Sequence, residues 1–274
     1  MSKKLAIVVL IAAAVACSDR ARQTESLFAE PTEVPSAVDS APAPEYAAAV
    51  ARARQFVRAA VVDQNLPGVS VAVGVASALS AKEGTIVWAE GFGWRDPGTH
   101  TPVRPKTRFN IGTAASVVSA DAVKQLGLTS TGAEPASKWS PEAIGEPGED
   151  FPPLTLIRHN VLQPLGLADS EYPLPGDRAT FYVPRSDDNP QRGGRLMRMS
   201  DLACCAEKLA FYSTAADLVR VGLTSGASIN GELAGGTVTS LATRRDGIVV
   251  AVLSNIAHAN TAALAQSIGD AFAR

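Results

Sequence analysis

The sequence predicts an α+β fold: an antiparallel sheet built from both chain ends, with flanking helices and a reduced helical lobe between them. Near the start, apolar residues at helical spacing predict a helix over residues 45–65, which ends where Pro67 and Gly68 break the pattern. Two stretches rich in β-branched and aromatic residues, 69–75 and 85–94, then predict an antiparallel hairpin.

The other half of the sheet is predicted from the far end of the chain. A well-marked helix there is capped by Ser213 or Thr214. Strands are predicted over 232–243 and 247–255, and a final helix over 260–274. Because strands come from both ends, the middle of the chain must form an insert between them.

The helical and loop-rich insert is placed at about residues 113–212. Residues 127–153 are polar, rich in glycine and proline, and without periodicity. A helix is predicted over 155–165 and a short strand over 179–183. A cleft between an inserted lobe and a sheet is a natural ligand site.

The first 17 residues predict a signal peptide with a lipobox. Lys3 and Lys4 precede an apolar run over 5–16 that is too short for a good membrane span. Small residues before Cys17 resemble a bacterial lipobox, in which Cys17 becomes the lipidated first residue. The alternative is an ordinary secretory signal cleaved nearby. The lipobox predicts a lipid anchor in the bacterial cell envelope, on the periplasmic side of the outer membrane.

The next segment, residues 18–44, predicts a disordered tether. It mixes proline, serine, alanine, threonine and acidic residues, and such a segment cannot bury enough apolar surface to offset its ordering entropy. Residues 45–274 are then expected to form one domain, since their number suits one large domain or two lobes of one fold.

Composition argues against several classes of protein. The formal net charge is −2, 5% of residues are aromatic, and no basic run is interleaved with aromatics, so nucleic acid is not an expected partner. Cys204 and Cys205 are adjacent, a spacing that rarely pairs, and no spacing matches a metal site. No metal and no cofactor are expected.

The most informative stretch for function is FNIGTAASVVSA, residues 109–120. It predicts a strand end, a turn at Gly112, a hydroxyl residue at Thr113 and a helix rich in alanine and valine. In the S-x-x-K arrangement, a serine at a helix N-terminus is followed one turn later by a lysine on the same helix face. Here Thr113 and Ser116 occupy those positions, so the site has the shape of a nucleophile turn without its base.

The order of elements and several local sequences resemble the serine β-lactamase and penicillin-binding-protein superfamily, and within it the class C-like esterase and LACTB-like branch. The matching segments are collinear along almost the whole mature chain: 66–73, 88–93, 109–120, 161–169, 213–222 and 247–255. The resemblance implies a β-lactamase-like fold and a serine hydrolase site in the cleft.

In that superfamily, the chemistry depends on a nucleophilic serine, a lysine one turn on, a Tyr-x-Asn or Ser-x-Asn loop, and a Lys/His-x-Gly strand across the cleft. Carried over, the nucleophile position is Thr113 and the base position is Ser116, while the tyrosine loop has no clear counterpart. The facing strand aligns with a segment in which Leu233 replaces the polar residue. Gly235 and Gly236 would let a ligand approach the strand backbone.

Four departures at one site favour loss of the acyl-serine reaction, because removing one member of a cooperating catalytic unit already costs several orders of magnitude in rate. The expectation is an impaired or binding-only lipoprotein with a small-molecule or peptidoglycan-like ligand. One alternative is a residual hydrolase, esterase-like, β-lactamase-like or D-Ala-D-Ala peptidase-like, acting through Thr113 or Ser116. Another is an internally deleted copy that folds poorly. Nothing in the sequence supports a triad through His159. Rescue by Lys208 is a further alternative, against its interpretation as a solvated surface charge.

Overall fold

Strands from both chain ends form one antiparallel sheet with helices on both of its faces. The computed structural model describes residues 26–77, 84–117, 162–163, 166–170, 177–184, 196–198 and 211–273. The described strands are β1 Ser36–Ala37, β2 Gly68–Ala76, β3 Gly84–Asp96, β4 Thr101–Pro102, β5 Phe109–Asn110, β6 Tyr182–Pro184, β7 Leu196–Arg198, β8 Tyr212–Ser213, β9 Ile229–Leu233, β10 Gly236–Thr243 and β11 Ile248–Ser254. The described α-helices are α1 Ala47–Asp63, α2 Ala215–Ser225 and α3 Thr261–Phe272.

The main sheet has the strand order β1-β3-β2-β11-β10-β9, and β4 pairs with β3 beside it. Every pairing in it is antiparallel. β2 pairs with β11 from Val69 opposite Ser254 to Val75 opposite Ile248, which brings the early and late parts of the chain together. This confirms the predicted sheet built from both chain ends.

The central strand β11 divides the core into two layers. All of its residues are buried, which is expected of a strand covered on both faces. Val250 and Val252 pack in the cluster that contains α1 and α3. Val249 and Leu253 pack in the cluster that contains α2 and the residues around Phe109. The period-two alternation of a strand thus separates a layer made by α1 and α3 from a layer that holds the candidate site.

A buried carboxylate lies under α1. Glu90 is 2% exposed and accepts hydrogen bonds from Arg54 Nε at 2.7 Å and Trp88 Nε1 at 2.9 Å. Its charge is therefore paired and hydrogen-bonded, as a buried charge requires. This contact joins α1 to β3.

None of the described helices is both long and apolar enough to cross a membrane.

The segment before α1 belongs to the domain. Phe28 and Val34 are buried in the core, Phe28 stacks on Trp94, and β1 pairs with the edge of β3. These contacts place residues 26–37 in the folded domain, although the composition predicts a disordered tether over 18–44. Residues 18–25 lie outside the described residues. Two buried apolar side chains and a short strand fix the segment 26–37. The average composition of the segment does not reveal these few contacts.

The strand predicted over 232–243 is two strands. β9 and β10 are joined by Ala234 and Gly235, whose φ angles are 51° and 77°. Positive φ at both central residues is the requirement of a type I′ hairpin turn. Most of the predicted helix over 155–165 and most of the 113–212 insert lie outside the described residues. The strand predicted over 179–183 is present only in part, since β6 spans Tyr182–Pro184.

The Phe28 contact gives a first prediction. Phe28→Ala should lower the free energy of unfolding by about 3 kcal/mol, because it empties a buried aromatic site. Val38→Ala is the matched control, since Val38 is exposed, and should change that free energy by less than about 0.5 kcal/mol. Chemical denaturation measures both. Equal small effects would mean that residues 26–44 do not contribute to the core.

Tyr182 gives a second prediction, for alkaline pH. Burial, followed by the negative charge of Asp96, raises the pKa of Tyr182 to about 12, and the nearby Arg198 charge opposes this. The unfolded chain loses this proton near pH 10 and the folded chain near pH 12. Stability from Tyr182 is therefore present below about pH 10 and is lost as pH rises towards 12.

The corresponding variant is Tyr182→Phe, which keeps the ring and removes the titrating hydroxyl. Its unfolding free energy should fall less steeply than that of the wild-type protein between about pH 10 and pH 12. Denaturant unfolding at several pH values gives both slopes. Parallel slopes would show that the Tyr182 hydroxyl titrates in the folded state as it does in the unfolded chain.

Candidate functional site

The turn at Thr113 begins from a buried strand end. Phe109 and Ile111 are both buried, and β5 pairs with β8. The side-chain Oδ1 of Asn110 accepts a hydrogen bond from the Gly112 N–H at 3.0 Å, which is a local side-chain turn typical of asparagine. A short 3-10 helix, Gly112–Ala114, follows. Alternating burial thus fixes the strand, and the asparagine side chain turns the backbone towards β9.

Two glycines allow this turn to approach β9 closely. Gly112 has φ +57°, and a Cβ there would collide with the carbonyl of Glu232. A Cβ on Gly231 would in turn collide with the carbonyl of Ile111. Both backbone segments must lack a side chain at this contact. The pair Gly112 and Gly231 therefore sets the spacing between the turn and the edge of the sheet.

The hydroxyl of Thr113 is used within this contact. Thr113 is exposed, and its Oγ1 accepts a hydrogen bond from the backbone N–H of Glu232 at 3.0 Å. Ser116 is half-buried, and its Oγ donates to the carbonyl of Thr113 at 2.8 Å. The structure therefore brings together the two predicted positions, but their hydroxyls bond to backbone groups and not to each other.

No general base is in place within the described part of the chain. In that part, neither Thr113 Oγ1 nor Ser116 Oγ has a hydrogen bond to a basic or acidic side chain. A hydroxyl nucleophile needs a group that removes its proton. The described residues also contain no cluster of histidine, cysteine, aspartate and glutamate placed to hold a metal ion.

A buried acidic residue, Asp217, joins the elements next to the turn. Asp217 lies in the first turn of α2, and its backbone N–H donates to the side chain of the capping residue Thr214 at 3.2 Å. Its Oδ2 accepts from the Asp169 N–H at 3.0 Å and the Ser170 hydroxyl at 2.8 Å. Ser213, in β8, contacts Ser170 Oγ at 2.9 Å. Asp217 thus connects α2, the loop 166–170 and the strand pair that carries the turn.

Burial is the largest influence on Asp217 and raises its pKa. The hydrogen bond from Ser170 and the positive charge of Arg220 act in the opposite direction. Arg220 Nη1 lies 2.5 Å from Asp217 Oδ1. This carboxylate is a structural anchor, because all its described partners are backbone or side-chain groups of the surrounding elements.

The predicted substrate-binding residues Leu233, Gly235 and Gly236 lie in and next to the β9–β10 turn. Leu233 ends β9, Gly235 is in the hairpin turn, and Gly236 begins β10. A Cβ on Gly235 would meet no atom within 4 Å, and one on Gly236 would meet His258. The strand backbone that faces Thr113 belongs to Gly231 and Glu232 instead. Cys17, His159 and Lys208 lie outside the described residues.

Sequence reasoning missed Gly231 and Glu232 for an identifiable reason. Asn230-Gly231 is a dipeptide typical of turns, so the pattern suggests that a strand starts only after it. In the structure Asn230 is inside β9, and its Oδ1 accepts a hydrogen bond from Ser240 Oγ at 2.7 Å. A glycine next to a predicted nucleophile turn could have indicated a close backbone approach.

Solved structures match the fold of this chain, although no protein-family model and no curated protein matches its sequence. EstCE1, a hydrolase with promiscuous acyltransferase activity, aligns over 84% of this chain and 99% of its own, with TM-score 0.55 and 14% identity. A class C β-lactamase aligns over 84% and 98%, with TM-score 0.53 and 13% identity. D-alanine carboxypeptidase AmpC from Burkholderia cenocepacia aligns over 80% and 98%, with TM-score 0.51 and 13% identity.

The chain has the serine β-lactamase and penicillin-binding-protein-like fold. The likeness extends over about four fifths of the chain in each of these comparisons. Since the identities are low, what they establish is the fold. The β-lactamase-like fold agrees with the observed sheet and with the helices packed on it.

A pocket in this β-lactamase-like fold lies at Arg108, the residue before β5. Its volume is about 470 Å³, and it is lined by Arg108, Leu162, Gln163, residues 166–168 and Ser170. Neither Thr113 nor Ser116 belongs to this lining. Arg108 Nε donates to the carbonyl of Asp169 at 2.8 Å, so this arginine supports the loop that forms the pocket wall.

The close approach at Gly112 gives a third prediction. Gly112→Ala should cost clearly more unfolding free energy than Gly226→Ala, by about 2 kcal/mol, because it adds a collision with the Glu232 carbonyl. Gly226 is the matched control: its φ is also positive, at +71°, but a Cβ there meets no atom within 4 Å. Its cost should be about 1 kcal/mol. Equal costs in chemical denaturation would contradict the tight contact between the turn and β9.

Proposed function

We propose that this chain is an exported, lipid-anchored protein of the serine β-lactamase fold that binds a small-molecule or peptidoglycan-like ligand and no longer hydrolyses it. One observation carries the proposal. Thr113 Oγ1, at the position of a nucleophile, accepts the backbone N–H of Glu232 and has no base bonded to it among the described residues. The hydroxyl acts as a connection between two elements and not as an activated nucleophile.

The chemistry of the contact supports this proposal. Acyl transfer needs a deprotonated nucleophile and free N–H donors for the developing oxyanion. Here an N–H of the facing strand is already bonded to the hydroxyl itself. The second hydroxyl, that of Ser116, donates a hydrogen bond to the backbone carbonyl of Thr113. A backbone carbonyl is not basic enough to remove a proton near neutral pH. The β-methyl group of Thr113 further restricts χ1 and crowds attack.

The export and anchor part of the proposal rests on the sequence. Lys3 and Lys4 precede an apolar run, and small residues precede Cys17. A lipid on Cys17 would hold the domain at a membrane surface in the cell envelope. Peptidoglycan-like material is the ligand class proposed for that location, and EstCE1 and the AmpC carboxypeptidase have the same fold with named hydrolase activities of their own.

The fourth prediction uses an acylating probe. A fluorophosphonate or a penicillin-type probe should leave the purified wild-type protein unlabelled, because no acidic or basic side chain of the described residues is bonded to Thr113 Oγ1. Stoichiometric labelling that disappears in Thr113→Ala or Ser116→Ala would reject the binding-only function and support a residual hydrolase. A cooperative thermal transition of the same sample is the control that the protein is folded, and a broad transition would instead support a poorly folding, internally deleted chain.

The double variant Thr113→Ser with Ser116→Lys sharpens this experiment. It supplies a serine nucleophile and a lysine one turn on, with both on one helix face. Labelling of the double variant alone would assign the loss of reactivity to these two positions. Absence of labelling would assign it also to the cleft around them. Binding of soluble peptidoglycan fragments to the wild-type protein, measured by calorimetry, tests the ligand directly.

A further inference from the structure

The ligand of the proposed function needs a site that is open to it. At Thr113 the turn approaches β9 closely, and the N–H of Glu232 is already bonded to Thr113 Oγ1. We propose that the ligand binds instead in the pocket at Arg108, and that Arg108 holds the terminal carboxylate of the ligand. This inference rests on the proposed function and adds to it a site and the chemical group that is recognised.

The pocket has the size and the lining of a small-molecule site. Its volume of about 470 Å³ lies within the usual range of about 300–1,000 Å³ and leaves room for a dipeptide. Leu162 and Leu167 line it and are buried in the core. Arg108, Gln163 and Ser170 contribute polar groups. Apolar side chains with a few polar groups among them are typical of ligand pockets.

Bonds on both sides hold Arg108 in place. Its backbone N–H donates to the carbonyl of Asp177 at 3.0 Å, and its carbonyl accepts from the N–H of Ala179 at 2.8 Å. The side-chain Nε donates to the carbonyl of Asp169 at 2.8 Å. A guanidinium is charged at any physiological pH, and its N–H groups form a rigid fork that matches a carboxylate. Because the side chain is already oriented, little of its entropy is lost when a ligand binds.

The loop 166–170 in the pocket wall is also fixed before a ligand binds. The N–H of Gly166 donates to the carbonyl of Gln163 at 3.0 Å, and Gly166 has φ +66°. At the other end of the loop, the hydroxyl of Ser170 donates to Asp217 at 2.8 Å. The wall is therefore preformed, and its serine hydroxyl is already bonded to a buried carboxylate.

The charges around the pocket favour an anion. Three acidic residues adjoin its lining along the chain or through a bond: Asp169, Asp177 and Asp217. Asp177 is paired with Arg95. Asp217 is paired with Arg220. Asp169 is half-buried, whereas Arg178, which forms a β-bridge with Arg108, is exposed. Within this group of described residues, the four arginines and three aspartates leave one positive charge in excess, which attracts an anion.

A peptide that ends in alanine fits this lining. Its terminal carboxylate can accept two parallel hydrogen bonds from a guanidinium, and its methyl groups can lie against Leu162 and Leu167. Gln163 is exposed at the pocket and presents an amide, the same chemical group as a peptide bond. A peptidoglycan stem peptide that ends in D-alanyl-D-alanine combines a free carboxylate with small apolar side chains. The carboxylate is therefore the group on which binding should depend.

The fifth prediction uses calorimetry on the purified protein, with N-acetyl-D-alanyl-D-alanine and with its C-terminal amide as probes. The acid should bind at least about tenfold more tightly than the amide, because the amide lacks the charge. Arg108→Gln should weaken binding of the acid by at least about tenfold. Arg104→Gln is the matched control, because Arg104 is exposed on the same loop and outside the pocket lining. It should change the affinity by less than about twofold.

A second pair of variants tests the pocket and leaves Arg108 in place. Ala168 is an exposed residue of the lining. Ala168→Glu adds a negative charge there, and Ala168→Gln adds a side chain of the same size without the charge. The Glu variant should bind the acid at least about fivefold more weakly than the Gln variant, because like charges repel. A cooperative thermal transition of each variant confirms that it is folded.

The possible outcomes separate the site from the function. Full binding of the acid by Arg108→Gln, together with equal binding by the two Ala168 variants, would overturn the pocket and leave the proposed ligand in place. Equal affinity of the wild-type protein for the acid and the amide would overturn the role of the carboxylate. Absence of binding of either probe by the wild-type protein would overturn the proposed ligand class and this site with it. If Arg108→Gln does not fold, the two Ala168 variants decide.

Discussion

The pairing of β2 with β11 holds the whole arrangement together. These strands come from opposite ends of the chain, and forming their ladder closes a very long loop, which costs conformational entropy. Burial on both faces of β11 offsets this cost, since α1 and α3 cover one face and α2 covers the other. The turn at Thr113 is positioned only because this sheet supplies the edge strand β9 against which it packs.

At that edge, the turn at Thr113 is joined to the main sheet. Gly112 and Gly231 bring two backbones together, and the hydroxyl of Thr113 bonds the turn to Glu232. An acylation site needs the same hydroxyl to move its proton to a base and to leave strand N–H groups for the oxyanion. The observed hydrogen bond therefore uses, to join two elements, atoms that an acylation reaction would need.

The sequence alone was sufficient for the long periodic elements and insufficient for the contacts between them. The predicted hairpin, the helix capped by Thr214 and the final helix are all present, because each carries many residues with a consistent period. The start of β9 was predicted three residues too late, at 232, because Asn230-Gly231 has the composition of a turn. Asp217 was recognisable as a first-turn acidic residue, but its role in binding Ser170 depends on a long-range contact that no local pattern contains.

The same limit explains residues 26–44, whose composition resembles a linker although Phe28 and Val34 fill the core. Their position has a consequence for handling the molecule. β1 covers the outer edge of β3, and an uncovered strand edge is a template for pairing with another chain. A version that starts at Glu45 would expose that edge together with the ring of Trp94, and would be prone to self-association along the sheet. A shortened version that folds independently should therefore keep Phe28, Val34 and β1.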